Sequence, residues 1–379
     1  MDFQLSEETR ALKDLVRRII DEHQMPLERK LLRGERLAPQ DYRPGRAAAR
    51  AAGLWGLNLP KQYGGMQLST IDNVVVTEEN LRCLVPLRFG GNVPGFLLAL
   101  NESQKERYLY PLLKGKRRFA FAQTEPDAGS DPGGQMRTRA IRQGDKWIVN
   151  GTKTFISFVD AADFFVVVAV TDPERRQHGG ITLFLVDRNS PGVSVSRRIR
   201  MLGGFSTHEL VFDSVEVPAE NAIGEPGSGF SAAQELLSGA RMNIGARAVG
   251  IADRCVKMMI EHAKNRVAFG EPLARKQAVQ GMIVDSWVDV HQTRLVVYHA
   301  AWKNDCGEDT RIEAGMVKFI ASEMVGRVVD RAIQIHGAMG ATMELPLAHW
   351  YDRVRMMRIY EGATEVQKYQ VVARALLGA

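Results

Sequence analysis

At 379 residues the chain is longer than one ordinary hydrophobic core serves, so two or three domains are expected. Hydrophobic residues make up 45% and charged residues 25%, a globular balance, and no stretch approaches the roughly 20 apolar residues of a membrane span. The net charge of +6 and pI of about 9.2 suit an anionic ligand, but without a run of five or more basic residues they do not favour nucleic acid.

Residues 1 to about 117 read as helical. ETRALKDLVRRIIDEH and STIDNVVVTEENLRCL alternate apolar and charged positions at helical spacing. The opening segment has early acids and no apolar signal core, so it is expected to be the first helix of a cytoplasmic protein and not a targeting peptide. Residues 118–228 turn to strand texture. DKWIVNGTKTFIS predicts a hairpin turning at Asn150-Gly151, and FFVVVAV, ITLFLV and HELVFDSVEVP predict further strands. GEPGSGF, at 224–230, predicts a flexible linker into residues 229–379, which are helical again. Val249, Ala252, Val256, Met259 and Ala263 form one apolar stripe there, and Val317, Ile320, Met324, Val328 and Ile335 another. The fold class is therefore α+β, in three domains over 1–117, 118–228 and 229–379. It lacks the strand–helix alternation of a doubly wound sheet.

Familiar chemistries find no anchor. Cys83, Cys255 and Cys306 are few and far apart, which points to free thiols in a reducing compartment. The eight His show no metal-ligand spacing, so no metal is expected. There is no Gly-x-Ser-x-Gly elbow, dinucleotide fingerprint or phosphate-binding P-loop. Three segments are less ordinary. FAQTEPDAGSD, at 121–131, offers hydroxyls and backbone amides to a polar ligand. NRVAFGEPLARKQAVQ, at 265–280, sets an Arg before Phe-Gly at a helix end, which suits a phosphate. RIYEGATEVQ, at 358–367, places a carboxylate between an aromatic residue and glycine.

Together these segments resemble the acyl-CoA dehydrogenase family over nearly the whole chain. TEPDAGSD is similar to the family's flavin loop, with Asp127 where Gly is usual. NRVAFG with Gln277, QIHGAMG and YEG match three further family motifs. The resemblance implies an N-terminal helical domain, a central β-barrel or sandwich-like domain and a C-terminal four-helix bundle, with FAD as cofactor. It assigns Phe121, Thr124, Gly129 and Ser130 to the flavin and substrate loop, and Phe155 and Ser157 to the flavin ring, where Trp and Thr are usual. Arg266, Phe269 and Gln277 would hold the flavin's diphosphate and adenosine side, with Gln334 and Gly337 reaching it from a neighbouring subunit. Ala363 and Glu365 stand where the medium-chain type has Thr and Gln. Some members place the base directly before an Arg on a helix. Here that position is Ala240, followed by Arg241, so Glu361 is the family-matched base.

The implied reaction is α,β-dehydrogenation of an acyl-CoA. Glu361 takes the α-proton, its own backbone N–H polarises the thioester carbonyl, and Ser130, Arg241 and Gly362 border the substrate. Electron-transferring flavoprotein is the expected acceptor, and a homo-oligomer, a tetramer, the expected assembly. A dioxygen-using oxidase and a nucleic-acid-binding flavoprotein of the same fold are the alternatives. The acyl group is not legible.

Overall fold

The computed structural model describes residues 4–91 and 93–378. It separates into two compact units, Met1–Asn92 with Ser238–Ala379, and Val93–Leu237. Among the described residues no helix is long and apolar enough to cross a membrane, and Cys83, Cys255 and Cys306 are unpaired.

The first unit is helical. Helix α1 spans Glu7–Ile19. It begins where the Ser6 side chain accepts a hydrogen bond from the Thr9 N–H at 3.0 Å, carries Glu7 and Glu8 in its first turn, and has Arg17 and Arg18 in its last. Helix α2, Thr70–Leu81, is capped the same way by Ser69. Three longer helices follow, α3 at Gly229–Asn265, whose greater part lies in this unit, α4 at Gln277–Asp305 and α5 at Arg311–His336, and then α6 at Pro346–Met357. The stripe of Val249, Ala252, Val256, Met259 and Ala263 on α3 is buried. Its residues Val249, Ala252, Val256 and Met259 share one core with Val317, Met324, Val328 and Ile335 of α5 and Trp350 of α6, while Ile320 is half-buried. Sustained apolar spacing over such lengths leaves these helices little alternative to packing on one another. Several polar groups in this unit are buried with partners. Glu78 of α2, for example, accepts from Arg294 at 3.1 Å and Tyr298 at 2.8 Å, both on α4.

The second unit holds eight strands: β1 Phe119–Ala122, β2 Arg139–Gln143, β3 Lys146–Ile156, β4 Phe164–Val170, β5 Ile181–Asp187, β6 Val193–Arg200, β7 Ser206–Pro218 and β8 Ala222–Ile223. They form one mixed sheet in the order β6-β7-β3-β2-β4-β5-β8, with β1 beside β4. Every residue of β4 is buried, which is why its sequence is a continuous apolar run and not an alternation.

The predicted hairpin at Asn150-Gly151 is not formed. Both residues lie inside β3, and the chain reverses earlier, between β2 and β3, at Gly144. Asn150 instead stabilises a bulge in the facing strand. Its Oδ1 accepts from the Ser214 N–H at 2.7 Å, and Ser214 takes a φ of +51° where the β3–β7 register shifts. Gly151 is required by a close approach, since a Cβ there would stand 2.3 Å from Thr138 Oγ1. GEPGSGF also differs from the expected flexible linker. The Gly227 N–H donates to Thr182 Oγ1 at 2.9 Å and the Ser228 hydroxyl to the Glu225 carbonyl at 2.7 Å, so the segment is a bonded turn leading into α3.

Candidate functional site

Three groups of residues converge, each within one unit. The first surrounds Glu361, in the turn between α6 and the helical segment Val366–Ala373. Glu361 has a φ of +58° and Gly362 one of +87°. A left-handed conformation at a non-glycine residue costs on the order of 1–2 kcal/mol, so the surroundings must impose it. They do so at both ends. Glu323 of α5 accepts from Arg358 Nε at 2.7 Å and from the Thr364 hydroxyl at 2.9 Å. The Glu361 carbonyl accepts from Arg241 Nε at 3.2 Å and from Gln367 Nε2 at 3.2 Å. Arg241, Glu361 and Gly362 are thus brought together as expected residues, while Gln367 and Glu323 were not foreseen.

Burial pushes the Glu361 carboxyl above the ordinary carboxylate range, and the positive charges of Arg241 and Lys318 oppose that rise. Burial also lowers the Arg241 guanidinium, against the attraction of Glu361. A carboxylate that is largely desolvated, held in a strained turn and raised above its ordinary range has the properties of a general base.

The second group lies in the β unit. Phe121 is on β1, its ring centroid 6.0 Å from that of Phe96. Thr124 is tied to β3 because its carbonyl accepts from the Thr154 N–H at 2.8 Å. Next to it, buried Glu125 accepts from the N–H groups of Arg137 (2.6 Å) and Thr138 (2.9 Å) and from Lys153 Nζ (2.8 Å). Lys153 is itself fully buried and also donates to the Gln123 carbonyl at 2.9 Å. Burial raises the Glu125 carboxyl, but the Lys153 charge and these hydrogen bonds outweigh it and hold the group below its ordinary range. A buried ion pair therefore fixes the loop that carries Thr124, Gly129 and Ser130, with Gly129 and Ser130 left exposed. Ser157 is half-buried. Phe155 adopts a φ of +57° that turns its ring outward, 52% exposed, so an aromatic face is available at the edge of the sheet.

The third group is at one end of the helical unit. Arg266 follows α3, and its N–H donates to the His262 carbonyl at 2.8 Å. The His262 ring stacks on His336, centroids 4.3 Å apart, and His336 directly precedes Gly337. That stack joins the Arg266 segment to the Gln334–Gly337 segment. Gln277, the first residue of α4, is exposed, as are Arg266, Gln334 and Gly337. Phe269 is 95% exposed at a φ of +53°. These exposed side chains offer a guanidinium and two amides to an anion.

Comparison with known proteins shows the family of the chain. The family models described as acyl-CoA dehydrogenase N-terminal, middle and C-terminal domains match residues 6–116, 120–215 and 227–377. The chain is 35% identical to (R)-benzylsuccinyl-CoA dehydrogenase of Thauera aromatica, over 99% of this chain and 97% of that one. It is 37% identical to the caffeyl-CoA reductase–Etf complex subunit CarC of Acetobacterium woodii, over 86% of this chain and 87% of that one. Among solved structures, the FAD complex of PigA superposes with a TM-score of 0.88 at 28% identity, covering 99% of each chain. With its three domains matched in order and full-length relatives of this identity, the chain belongs to the acyl-CoA dehydrogenase family of oxidoreductases.

Proposed function

We propose that the protein is an FAD-dependent dehydrogenase that introduces a trans-2 double bond into an acyl-CoA thioester, with Glu361 as the base. The observation that carries this reading is the Glu361 turn: a half-buried carboxylate in a left-handed conformation, raised by desolvation and held through its carbonyl by Arg241 and Gln367. The donor set suits FAD. The Arg266 guanidinium with the Gln277 and Gln334 amides matches a diphosphate, and the exposed Phe155 ring matches a flat aromatic system. Phe155 offers a face but no indole N–H, so it contributes stacking and no hydrogen bond. The FAD-bound structural relative supports the cofactor, and the CoA thioesters in the relatives' names support the substrate class.

When bound, FAD supplies the hydride acceptor that no side chain can provide. The rest falls to this chain. The Glu361 backbone N–H polarises the thioester carbonyl and acidifies the α-carbon. The Glu361 carboxylate removes the α-proton. Ser130, Arg241 and Gly362 border the substrate. By microscopic reversibility the same carboxyl would deliver a proton in the reductive direction, the direction named for the Acetobacterium relative. That relative's Etf complex supports electron-transferring flavoprotein as electron partner. A homo-oligomer, with a tetramer expected, is supported by an outward apolar stripe on α4, where Val284, Trp287, Val288, Leu295 and Trp302 are exposed. In such an assembly Gln334 and Gly337 would reach, from a neighbouring subunit, the flavin that Arg266, Phe269 and Gln277 hold. The reading is tested by adding a panel of CoA thioesters to FAD-loaded protein without oxygen. At least one should bleach the flavin and yield the enoyl product. A protein that binds FAD but is bleached by none of short, branched, aromatic or dicarboxylic acyl-CoAs would contradict it.

A further inference from the structure

The helical unit contains a charge that the proposed reaction leaves unused. Lys318 lies on α5 between Val317 and Ala321, in the face that forms the core, and it is 0% exposed. Its ammonium makes no hydrogen bond among the described residues. The usual reason for a buried lysine is a partner, as Lys153 has in Glu125 and the Gln123 carbonyl. Lys318 has none, so packing alone gives no reason for an ammonium at this position.

The neighbourhood supplies one. One turn before Lys318, Gly315 faces the segment after the Glu361 turn, where a Cβ would stand 3.1 Å from Gln367 Oε1 and 3.1 Å from Val371. Gln367 is also 0% exposed. Its Nε2 donates to the Glu361 carbonyl and its Oε1 is left without a partner. The charges acting on the ammonium come from four places: Arg241 on α3, Glu361 in the turn, Glu323 on α5 itself, and Glu365 just after the turn. Glu323 is already engaged by Arg358 and Thr364, and Glu365 is exposed. Glu361 is the remaining carboxylate, and among the described residues its side chain has no ion pair.

We propose that Lys318 is the buried counter-charge of the base, a positioning residue that acts through Glu361 by keeping its carboxylate ionised in an apolar site. The proposal rests on the reading of Glu361 as the α-proton base. Burial by itself favours the neutral acid, and a neutral acid cannot accept a proton. An ammonium fixed on a rigid helix opposes that tendency without covering the carboxylate oxygens that must reach the substrate. The arrangement costs stability, because burial pushes the ammonium itself down to about 8 against the pull of Glu361, Glu323 and Glu365. A group that weakens the fold, next to the segment that holds the Glu361 carbonyl and within reach of the charge of Glu361, fits a functional role better than a structural one.

The test is Lys318→Met in FAD-loaded enzyme, with melting temperature and the pH profile of flavin reduction by an acyl-CoA as readouts. Met fills the volume without the charge. The proposal expects an equal or higher melting temperature near neutral pH. It expects the pH of half-maximal reduction to move up by on the order of one unit, with the high-pH rate kept within a few-fold. The double variant Lys318→Met with Glu361→Gln should lose no more than Glu361→Gln alone. An unmoved acid limb would overturn the proposal, and a lower melting temperature beside it would make Lys318 structural. If the Met variant does not fold, Lys318→Gln gives the same two readouts, and each outcome carries the same meaning. Failure of the underlying reading shows elsewhere, as wild-type flavin reduction by Glu361→Gln at every pH.

Discussion

Replacing Gly362 by Ala perturbs the Glu361 turn without touching the carboxylate. At a φ of +87° an alanine pays about 1 kcal/mol relative to glycine. The added Cβ would stand 2.1 Å from Gln367 Nε2 and 3.8 Å from an Arg241 guanidinium nitrogen. The Gln367 amide can move, but only by leaving the Glu361 carbonyl, and Gln367 is fully buried with its Oε1 already unpartnered. Breaking that bond and stranding a buried donor costs about 1–3 kcal/mol. The sum is about 2–4 kcal/mol, or on the order of 5–15 °C in melting temperature for a unit of this size. The kinetic effect should exceed the thermal one. A displacement of about 1 Å in a catalytic group can cost on the order of a hundredfold in rate. Calorimetry gives the first quantity, and the rate of flavin bleaching at saturating acyl-CoA gives the second. A Gly362→Ala protein matching the wild type in both would show that the turn does not position the base.

Further expectations concern the other two groups and the charge of the base. Lys153→Met leaves Glu125 buried without its cation, so the β unit should lose about 3–5 kcal/mol and retain less FAD; an unchanged melting temperature and FAD-to-protein ratio would refute the clamp. Trp287→Glu places a charge in the exposed α4 stripe and should reduce the mass seen by light scattering; a wild-type protein already monomeric and active would refute the oligomer. Glu361 has a folded-state pKa above its unfolded value of about 4.5, so its protonation stabilises the fold below that value and the gain is lost as pH rises through the folded one. Glu361→Gln imitates the protonated form. It should melt close to the wild type at about pH 4 and above it at about pH 8, and a lower melting point at the higher pH would contradict the sign.

The helical elements were readable because their signal is periodic. Val249, Ala252, Val256, Met259 and Ala263 repeat at helical spacing and are buried together in one helix. The sheet was less readable where tertiary bonding decides. Asn150-Gly151 is the strongest local turn signal in the chain, yet the pairing of β3 with β7 runs through it and the turn chemistry serves the bulge at Ser214. Strand β6, VSVSRRIR, carries arginines on an exposed edge, and its apolar–polar alternation breaks off at Arg197. At the site, Glu361, Arg241 and Gly362 were legible through short motifs. Lys318, Gln367 and the Lys153–Glu125 pair were not, because a lone lysine or glutamine in a helix or strand reads as surface until packing buries it. The one local cue at Lys318 was its place between Val317 and Ala321 in an apolar stripe.

One measurement decides whether Glu361 is the base: the anaerobic rate of flavin reduction by an acyl-CoA in the Glu361→Gln protein. Glutamine keeps the size, the turn and the hydrogen-bonding capacity of Glu361 but cannot accept the α-proton. FAD should stay bound, the acyl-CoA should still perturb the flavin spectrum, and reduction should slow by on the order of a hundredfold or more. Adding Ala240→Glu offers a carboxylate from α3 beside Arg241 and should restore part of the lost rate. Reduction at the wild-type rate, with FAD and acyl-CoA both bound, would contradict the assignment of Glu361 as the base.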